Sequence, residues 1–209
     1  LVSPVLSNIY LHYVLDLWFE KRFAGMCTGR AYLIRYADDY VACFEHAGDA
    51  RAFLGEMTAR LAQFDLEVEP SKTALLRFGS EQLGRTGAET PGSRTFSFLG
   101  LTHYVGKSRT GRFVVGRKTD GKRVRKKLKL LSERLRGLRA QGGRAMVAYL
   151  IRHLRGHIQY YGVSGNSRGV SGYLYAATGL LFKWLNRRSQ RRSLTWKRFY
   201  AVIKPMLPT

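Results

Sequence analysis

Apolar side chains recur at three- and four-residue steps at the start of the chain, where Val5, Leu6, Ile9, Tyr13 and Leu17 share one stripe of a helix. Ser3-Pro4 supplies the entry, with Ser as N-cap and Pro at the first helical position, where its missing N–H costs nothing. The stripe predicts a helix running to about Phe23, and Gly25 and Gly29 then bracket a turn. The pattern changes at Tyr32-Leu33-Ile34-Arg35-Tyr36-Ala37 and Tyr40-Val41-Ala42-Cys43-Phe44, both rich in aromatic and β-branched residues. These predict two strands, with too few residues between them for anything but a tight hairpin. Gly48-Asp49 reads as the N-cap of a second helix whose face is Phe53, Met57, Leu61 and Phe64. Leu66-Glu67-Val68-Glu69 alternates as a short strand, Pro70-Ser71-Lys72-Thr73 turns, and Ala74 to Phe78 predicts a further strand. Gly79 to Arg94, poor in apolar residues, is a surface loop, after which Thr95 to Leu101 resumes a strand. The class is α+β.

Beyond residue 105 the pattern becomes helical. Gly106 to Gly121 forms a linker hairpin, with Thr110-Gly111 as its turn and Arg112-Phe113-Val114-Val115 as a short strand. Val124, Leu128, Leu131, Leu135 and Leu138 then mark an amphipathic helix that Gly142-Gly143 ends. Met146, Leu150, Leu154 and Ile158 mark a second helix, and Val170, Leu174, Ala177, Leu181 and Trp184 a third. Three such helices make a small bundle. The expected organisation is therefore 1–105, a linker at 106–121, and a helical domain at 122–209.

Charge sharpens that division. The 209 residues hold 36 Lys+Arg and 14 Asp+Glu, a net of +22. Residues 1–105 carry 10 basic and 12 acidic side chains, whereas residues 106–209 carry 26 and 2, a net of +24. So much like charge repels itself unless a polyanion is near, and nucleic acid is the expected partner. A membrane is not, because no apolar run approaches the roughly 18–20 residues that would span one. The N-terminus lacks the features of a secretory signal, and Cys27 and Cys43 form neither a CxxC pair nor a disulfide framework, so the expected location is the cytoplasm.

Candidate chemistry lies at both ends of this charge gradient. Asp38 and Asp39 fall between the two predicted strands, where apolar neighbours are expected to desolvate them partly and their mutual repulsion calls for a cation. Hard oxygen ligands suit Mg²⁺, or Mn²⁺, and Mg²⁺ is commonly held by one or two carboxylates plus substrate phosphates. Asp is also an ordinary turn residue, and that reading stays open. In the basic half, Lys122, Arg123, Arg125, Lys126, Lys127 and Lys129 crowd one helix, with Glu133 the one acid in 122–141, so intrahelical ion pairs cannot account for the charge. Arg187, Arg188, Arg191 and Arg192, followed by Lys197 and Arg198, form a second cluster whose guanidinium forks match phosphate geometry. His153 and His157, four residues apart, have no third ligand at metal-binding spacing.

Four segments in order carry a resemblance: SPVLSNIYLH at Ser3–His12, YADD at Tyr36–Asp39, SKT at Ser71–Thr73 and FSFLGL at Phe96–Leu101. Together they resemble the palm of bacterial group II intron reverse transcriptases, or maturases. The closing stretch FKWLNRRSQRRSLTWKRF resembles the end of that family's thumb. The resemblance implies that Asp38 and Asp39 are two of three metal-binding carboxylates of an RNA-directed DNA polymerase. It implies that Tyr36 and Ala37 lie near the primer end and incoming nucleotide, and that Phe98, Leu99 and Gly100 form the primer grip. Lys72 stands where such polymerases often carry a lysine near the triphosphate; a solvated turn lysine is the plain alternative. The implied partners are group II intron RNA, an RNA template with a DNA primer, and a dNTP once the missing N-terminal part is supplied. The family's third carboxylate and its fingers come earlier than anything present here, and neither Asp16 nor Asp49 obviously replaces that ligand. The resemblance thus implies the C-terminal part of an enzyme, with negligible polymerisation on its own. A non-catalytic RNA-binding module, maturase-like or decayed, is the competing expectation.

Overall fold

The computed structural model describes residues 3–80, 95–187 and 194–208. The chain divides into two compact units, Leu1–Arg94 and Thr95–Thr209. Residues 95–105 hold no Lys, Arg, Asp or Glu, so this division leaves the first unit at −2 and the second at +24.

In the first unit, α1 (Ser3–Leu11) continues into two π-helical segments, His12–Asp16 and Phe19–Phe23, and a last turn, α2 (Ala24–Met26). A π segment closes its hydrogen bonds over five residues rather than four, which turns the following face away from a 3.6-residue extrapolation. The buried side chains are accordingly Val14, Leu15, Trp18, Phe19 and Phe23. The stripe expected from the sequence is not the buried one: Val5, Leu6, Ile9 and Tyr13 are each at least 51% exposed. β1 (Ala31–Tyr36) pairs antiparallel with β2 (Asp39–Phe44), in register from Ala31 opposite Phe44 to Tyr36 opposite Asp39. Strand alternation sends Ala31 and Leu33 toward the core and leaves Tyr32, Ile34 and Tyr36 in solvent. Phe53, Met57 and Leu61 of α3 (Ala47–Ala62) complete this core.

Two local expectations are corrected. The N-cap of α3 is His46, without a side-chain cap; Asp49 lies inside the first turn. Its carboxylate instead accepts hydrogen bonds from the backbone N–H of Thr28 (3.0 Å) and of Gly29 (3.2 Å), tying the segment before β1 to the helix. Residues 66–69 and 74–78 are not strands. Their alternation is met by packing alone: Phe64, Leu66 and Val68 lean on the core while the residues between them are exposed, and no neighbouring strand completes a ladder among the described residues.

The second unit opens with an antiparallel meander of β3 (Thr95–Phe98), β4 (Leu101–Lys107) and β5 (Phe113–Thr119), adjacent in that order. The region expected as a linker hairpin holds the end of β4, its turn and β5, so it is part of this sheet and not a separate connection, and the β4–β5 turn is closed by the Gly111 N–H donating to the Ser108 carbonyl at 3.0 Å. Asp120 then caps α4 (Gly121–Gly137), accepting from the N–H groups of Lys122 (2.7 Å) and Arg123 (3.1 Å). A cap of this kind contributes about 1 kcal/mol. After a 3₁₀ extension, Leu138–Gln141, Gly142 at φ +94° reverses the chain into α5 (Gly143–Tyr161), which α6 (Ser167–Asn186) and the short α7 (Trp196–Val202) follow. Leu131, Leu135, Leu138, Met146, Leu150, Leu154, Leu174, Ala177, Leu181 and Trp184 make the core, joined by Phe199 and Leu207. Truncating one of the fully buried leucines to Ala would cost about 2–5 kcal/mol.

Candidate active site

The hairpin of the first unit turns over two residues, Ala37 and Asp38, with Tyr36 and Asp39 as the closing pair. Ala37 adopts φ +56°, a left-handed conformation that costs a residue with a side chain roughly 1–2 kcal/mol. Asp38 occupies the turn and Asp39 opens β2. Both carboxylates are exposed, and Tyr36 beside them is 65% exposed. The expected desolvation of the acidic pair is therefore corrected: the hairpin tip stands clear of the apolar side, which belongs to Ala31, Leu33 and Phe44 lower on the strands.

Two sets of contacts fix this tip. Arg35 reaches from β1 to Asp16, Nε and Nη2 each donating to one carboxylate oxygen at 2.7 Å, and its Nη1 donates to the Ala37 carbonyl at 2.7 Å and to Asn8 Oδ1 at 3.0 Å. Partial burial works to raise the Asp16 carboxyl, but the hydrogen bonds and charge of Arg35, with His12 adding to them, hold it below the ordinary carboxylate range. Asp16 is thus committed to Arg35. The second set lies on β2, where Tyr40 is half-buried; burial pushes its phenol up, and a hydrogen bond with the Thr73 side chain works against that shift. Thr73 belongs to the Pro70–Thr73 turn, whose backbone is closed by the Lys72 and Thr73 N–H groups donating to the Glu69 carbonyl at 3.1 Å. Lys72 is exposed on that turn, one residue from the Tyr40 contact.

Two exposed carboxylates fit a hard divalent cation that completes its shell with water and phosphate oxygens. Among the described residues no group of three His, Cys, Asp or Glu side chains could hold a metal ion by itself. The pair therefore suits Mg²⁺ or Mn²⁺ as part of a site and not as a closed cage.

The second unit holds the other predicted residues. Phe98 ends β3, and Leu99 (φ +50°) and Gly100 (φ +76°) form the tight turn into β4. Gly100 is buried, and a side chain there would meet the Tyr161 hydroxyl at 2.9 Å. The turn is gripped from two sides: Tyr160 donates its hydroxyl to the Leu99 carbonyl (3.0 Å), and the Asp120 N–H donates to the Gly100 carbonyl (3.1 Å). Of the basic residues on α4, Lys122, Arg123, Arg125, Lys126 and Lys129 are exposed. Lys127 departs from them. Its ammonium lies 3.1 Å from His157 Nδ1 and about equally far from the Tyr161 and Tyr173 rings, 5.5 and 5.4 Å, and burial lowers its pKa. It faces inward because His157 and Tyr173, stacked 3.8 Å apart, form a wall on the adjoining helices. His157 and His153 are absorbed by the same cluster, His153 Nε2 sharing a 2.6 Å hydrogen bond with the Tyr173 hydroxyl. Lys197 and Arg198 are exposed on α7, and Arg187, exposed, places its guanidinium 5.6 Å from the Trp184 ring. Arg188, Arg191 and Arg192 lie outside the described residues.

Residues 1–103 match the family described as reverse transcriptase (RNA-dependent DNA polymerase), a match that contains the acidic turn, Lys72 and the Leu99-Gly100 turn. The match is a likeness to reverse transcriptases over those residues, just under half of the chain. That family copies a template from a primer and uses divalent metal ions. No curated protein matches the chain. No helix among the described residues is long and apolar enough to cross a membrane.

Sequence reading missed the Arg35 and Asp16 pair, the Asp120 cap and the inward Lys127. The first left a signal: Asn8, His12 and Asp16 are polar side chains at four-residue steps in a helical run whose other residues from Ile9 to Leu15 are apolar or aromatic, the spacing at which side chains share a face.

Proposed function

We propose that this chain serves RNA-directed DNA synthesis of the group II intron type, its first unit supplying part of the palm and its second the thumb or maturase region. The observation that carries this reading is the exposed Asp38-Asp39 turn, held at Tyr36-Ala37 in a unit that matches reverse transcriptases. In it, Asp38 and Asp39 hold Mg²⁺ or Mn²⁺, which when bound supplies charge to stabilise the attacking and leaving oxygens of phosphoryl transfer. Lys72 offsets charge on the departing pyrophosphate. Phe98, Leu99 and Gly100 steady the primer end. Lys122, Arg123, Arg125, Lys126, Lys129, Arg187, Lys197 and Arg198 hold phosphates of template, primer and intron RNA.

The decisive experiment mixes the chain with a polypeptide that supplies fingers and the first palm strand, and follows extension of a DNA primer on an RNA template. The expected result is extension by the mixture and none with Asp38→Ala. RNA binding with no extension by the combined wild-type chains would make this a binding module without catalysis.

A further inference from the structure

We propose that Arg35 is the positioning residue of the acidic turn, its guanidinium anchored by Asp16 and Asn8 and holding the Ala37 carbonyl from which the backbone of Asp38 and Asp39 continues. The proposal rests on the reading of that pair as a metal-holding site.

The geometry is specific to arginine. Four hydrogen bonds leave one planar group: two parallel bonds to Asp16, one to Asn8 and one to the Ala37 carbonyl. The fork-on-fork pair with Asp16 fixes the plane of the guanidinium, so the direction of Nη1 toward the turn is fixed as well. The Arg35 side chain is 11% exposed, so little water competes for these bonds. A bond two residues along the chain, to the carbonyl of a residue in the left-handed region, is more than a tie between hairpin and helix. It lands on the strained residue itself. Such a conformation persists only where surrounding contacts over-determine it. The helical side of the anchor is rigid for its own reason: Asp16 lies between the buried residues Val14, Leu15 and Trp18, and Asn8 donates its Nδ2 to the Pro4 carbonyl at 3.0 Å. The acidic turn is thereby referenced to the helical core through one side chain. Lysine, a point charge without a fork, cannot bond Asp16 and the Ala37 carbonyl in the same way.

The test uses the full chain, with Mn²⁺ alone as the probe, free ion measured by electron paramagnetic resonance, and folding checked by circular dichroism and melting. Asp38→Asn reports on the metal reading by itself. Arg35→Lys is expected to weaken Mn²⁺ binding about tenfold, the low end of what partners behind a metal ligand are worth. Adding Ala37→Gly, which relieves the left-handed residue, is expected to restore most of that loss, a rescue that a purely structural role would not give. Asn8→Ala, on an exposed helix position, is expected to give a smaller loss and keeps the question open to measurement if Arg35→Lys does not fold. A second readout is independent of metal: the Ala37 amide-to-α coupling and the Asp38 and Asp39 amide shifts in the ¹⁵N-labelled chain should move in Arg35→Lys. Wild-type Mn²⁺ affinity in Arg35→Lys, with binding lost in Asp38→Asn, would overturn the positioning role. Unchanged binding in Asp38→Asn would instead end the metal reading, and Arg35 would then stand or fall on whether the Ala37 coupling moves.

Discussion

Asn166 is 1% exposed and joins three elements of the second unit. Its Oδ1 accepts from the Thr119 N–H at 2.8 Å and lies 3.2 Å from the Thr119 hydroxyl, while its Nδ2 donates to Thr119 Oγ1 and to the Tyr161 carbonyl, both at 2.8 Å. It thus pins the end of β5 to the end of α5 at the point where α6 begins. Asn166→Ala would leave the Thr119 N–H without its acceptor and the Thr119 hydroxyl without either contact. The Tyr161 carbonyl keeps a partner, because the Val163 N–H also donates to it at 2.8 Å. One buried backbone donor and one buried hydroxyl left unmet, at about 1–3 kcal/mol each, give an expected loss of about 3 kcal/mol. That corresponds to a fall in Tm of roughly 10 °C for a unit of this size. Asn166→Asp keeps the acceptor for Thr119 but loses the donor to Tyr161 and buries a charge, so it should be no more stable than the Ala variant. Urea unfolding of the full chain, followed by circular dichroism and by the tryptophans of the second unit, measures both. A loss under about 0.5 kcal/mol in Asn166→Ala, the level of an indifferent surface change, would refute the assignment.

Burial, then the neighbouring charge of Lys127 and the proximity of His153, bring the His157 pKa from 6.5 down to about 4. The unfolded chain therefore binds more protons between those values, so His157 contributes stability above pH 6.5 that is lost as pH falls toward 4, on the order of 3 kcal/mol in all. His157→Phe should flatten that part of the pH–Tm curve, and parallel curves for the two proteins would count against it. RNA affinity should fall steeply with salt and lose about one unit of logarithmic slope for each phosphate-contacting cation removed from Lys122, Arg125 and Lys126; a flat response would exclude phosphate contact. A side chain at Gly116 would sit 2.3 Å from the Tyr104 ring on the paired strand, so Gly116→Ala should cost about 1–3 kcal/mol, and Tyr104→Leu should recover part of it in a melting assay.

How much of this was readable in advance differs between the two units. The seams of α4, α5 and α6 were legible because an unbroken α-helix keeps its phase, and Leu131, Leu135, Leu150, Leu154 and Leu181 are buried where the spacing puts them. The same rule failed from Val5 to Tyr13 because the run passes into π-helical geometry at His12, and nothing in the spacing of apolar residues announces an extra residue per turn. The YADD turn was legible from letters alone; its exposure was not, since strand sequence gives the alternation but not where the core ends. Residues 66–69 show the complementary failure, with strand-like alternation and no partner among the described residues. Lys127 was indistinguishable from its neighbours until Tyr161, His157 and Tyr173, all more than 25 positions away in the chain, were brought around it.

The β1–β2 hairpin carries one more consequence. Among the described residues it is a ribbon of two strands, so the outer margin of each has amides and carbonyls without a ladder, and its solvent face displays Tyr32, Ile34 and Tyr36. A margin of that sort recruits extended chain wherever it finds it. In a concentrated preparation the nearest extended chain is another molecule's hairpin, so self-association should begin here, on the near-neutral unit, rather than on the cationic bundle that keeps its copies apart.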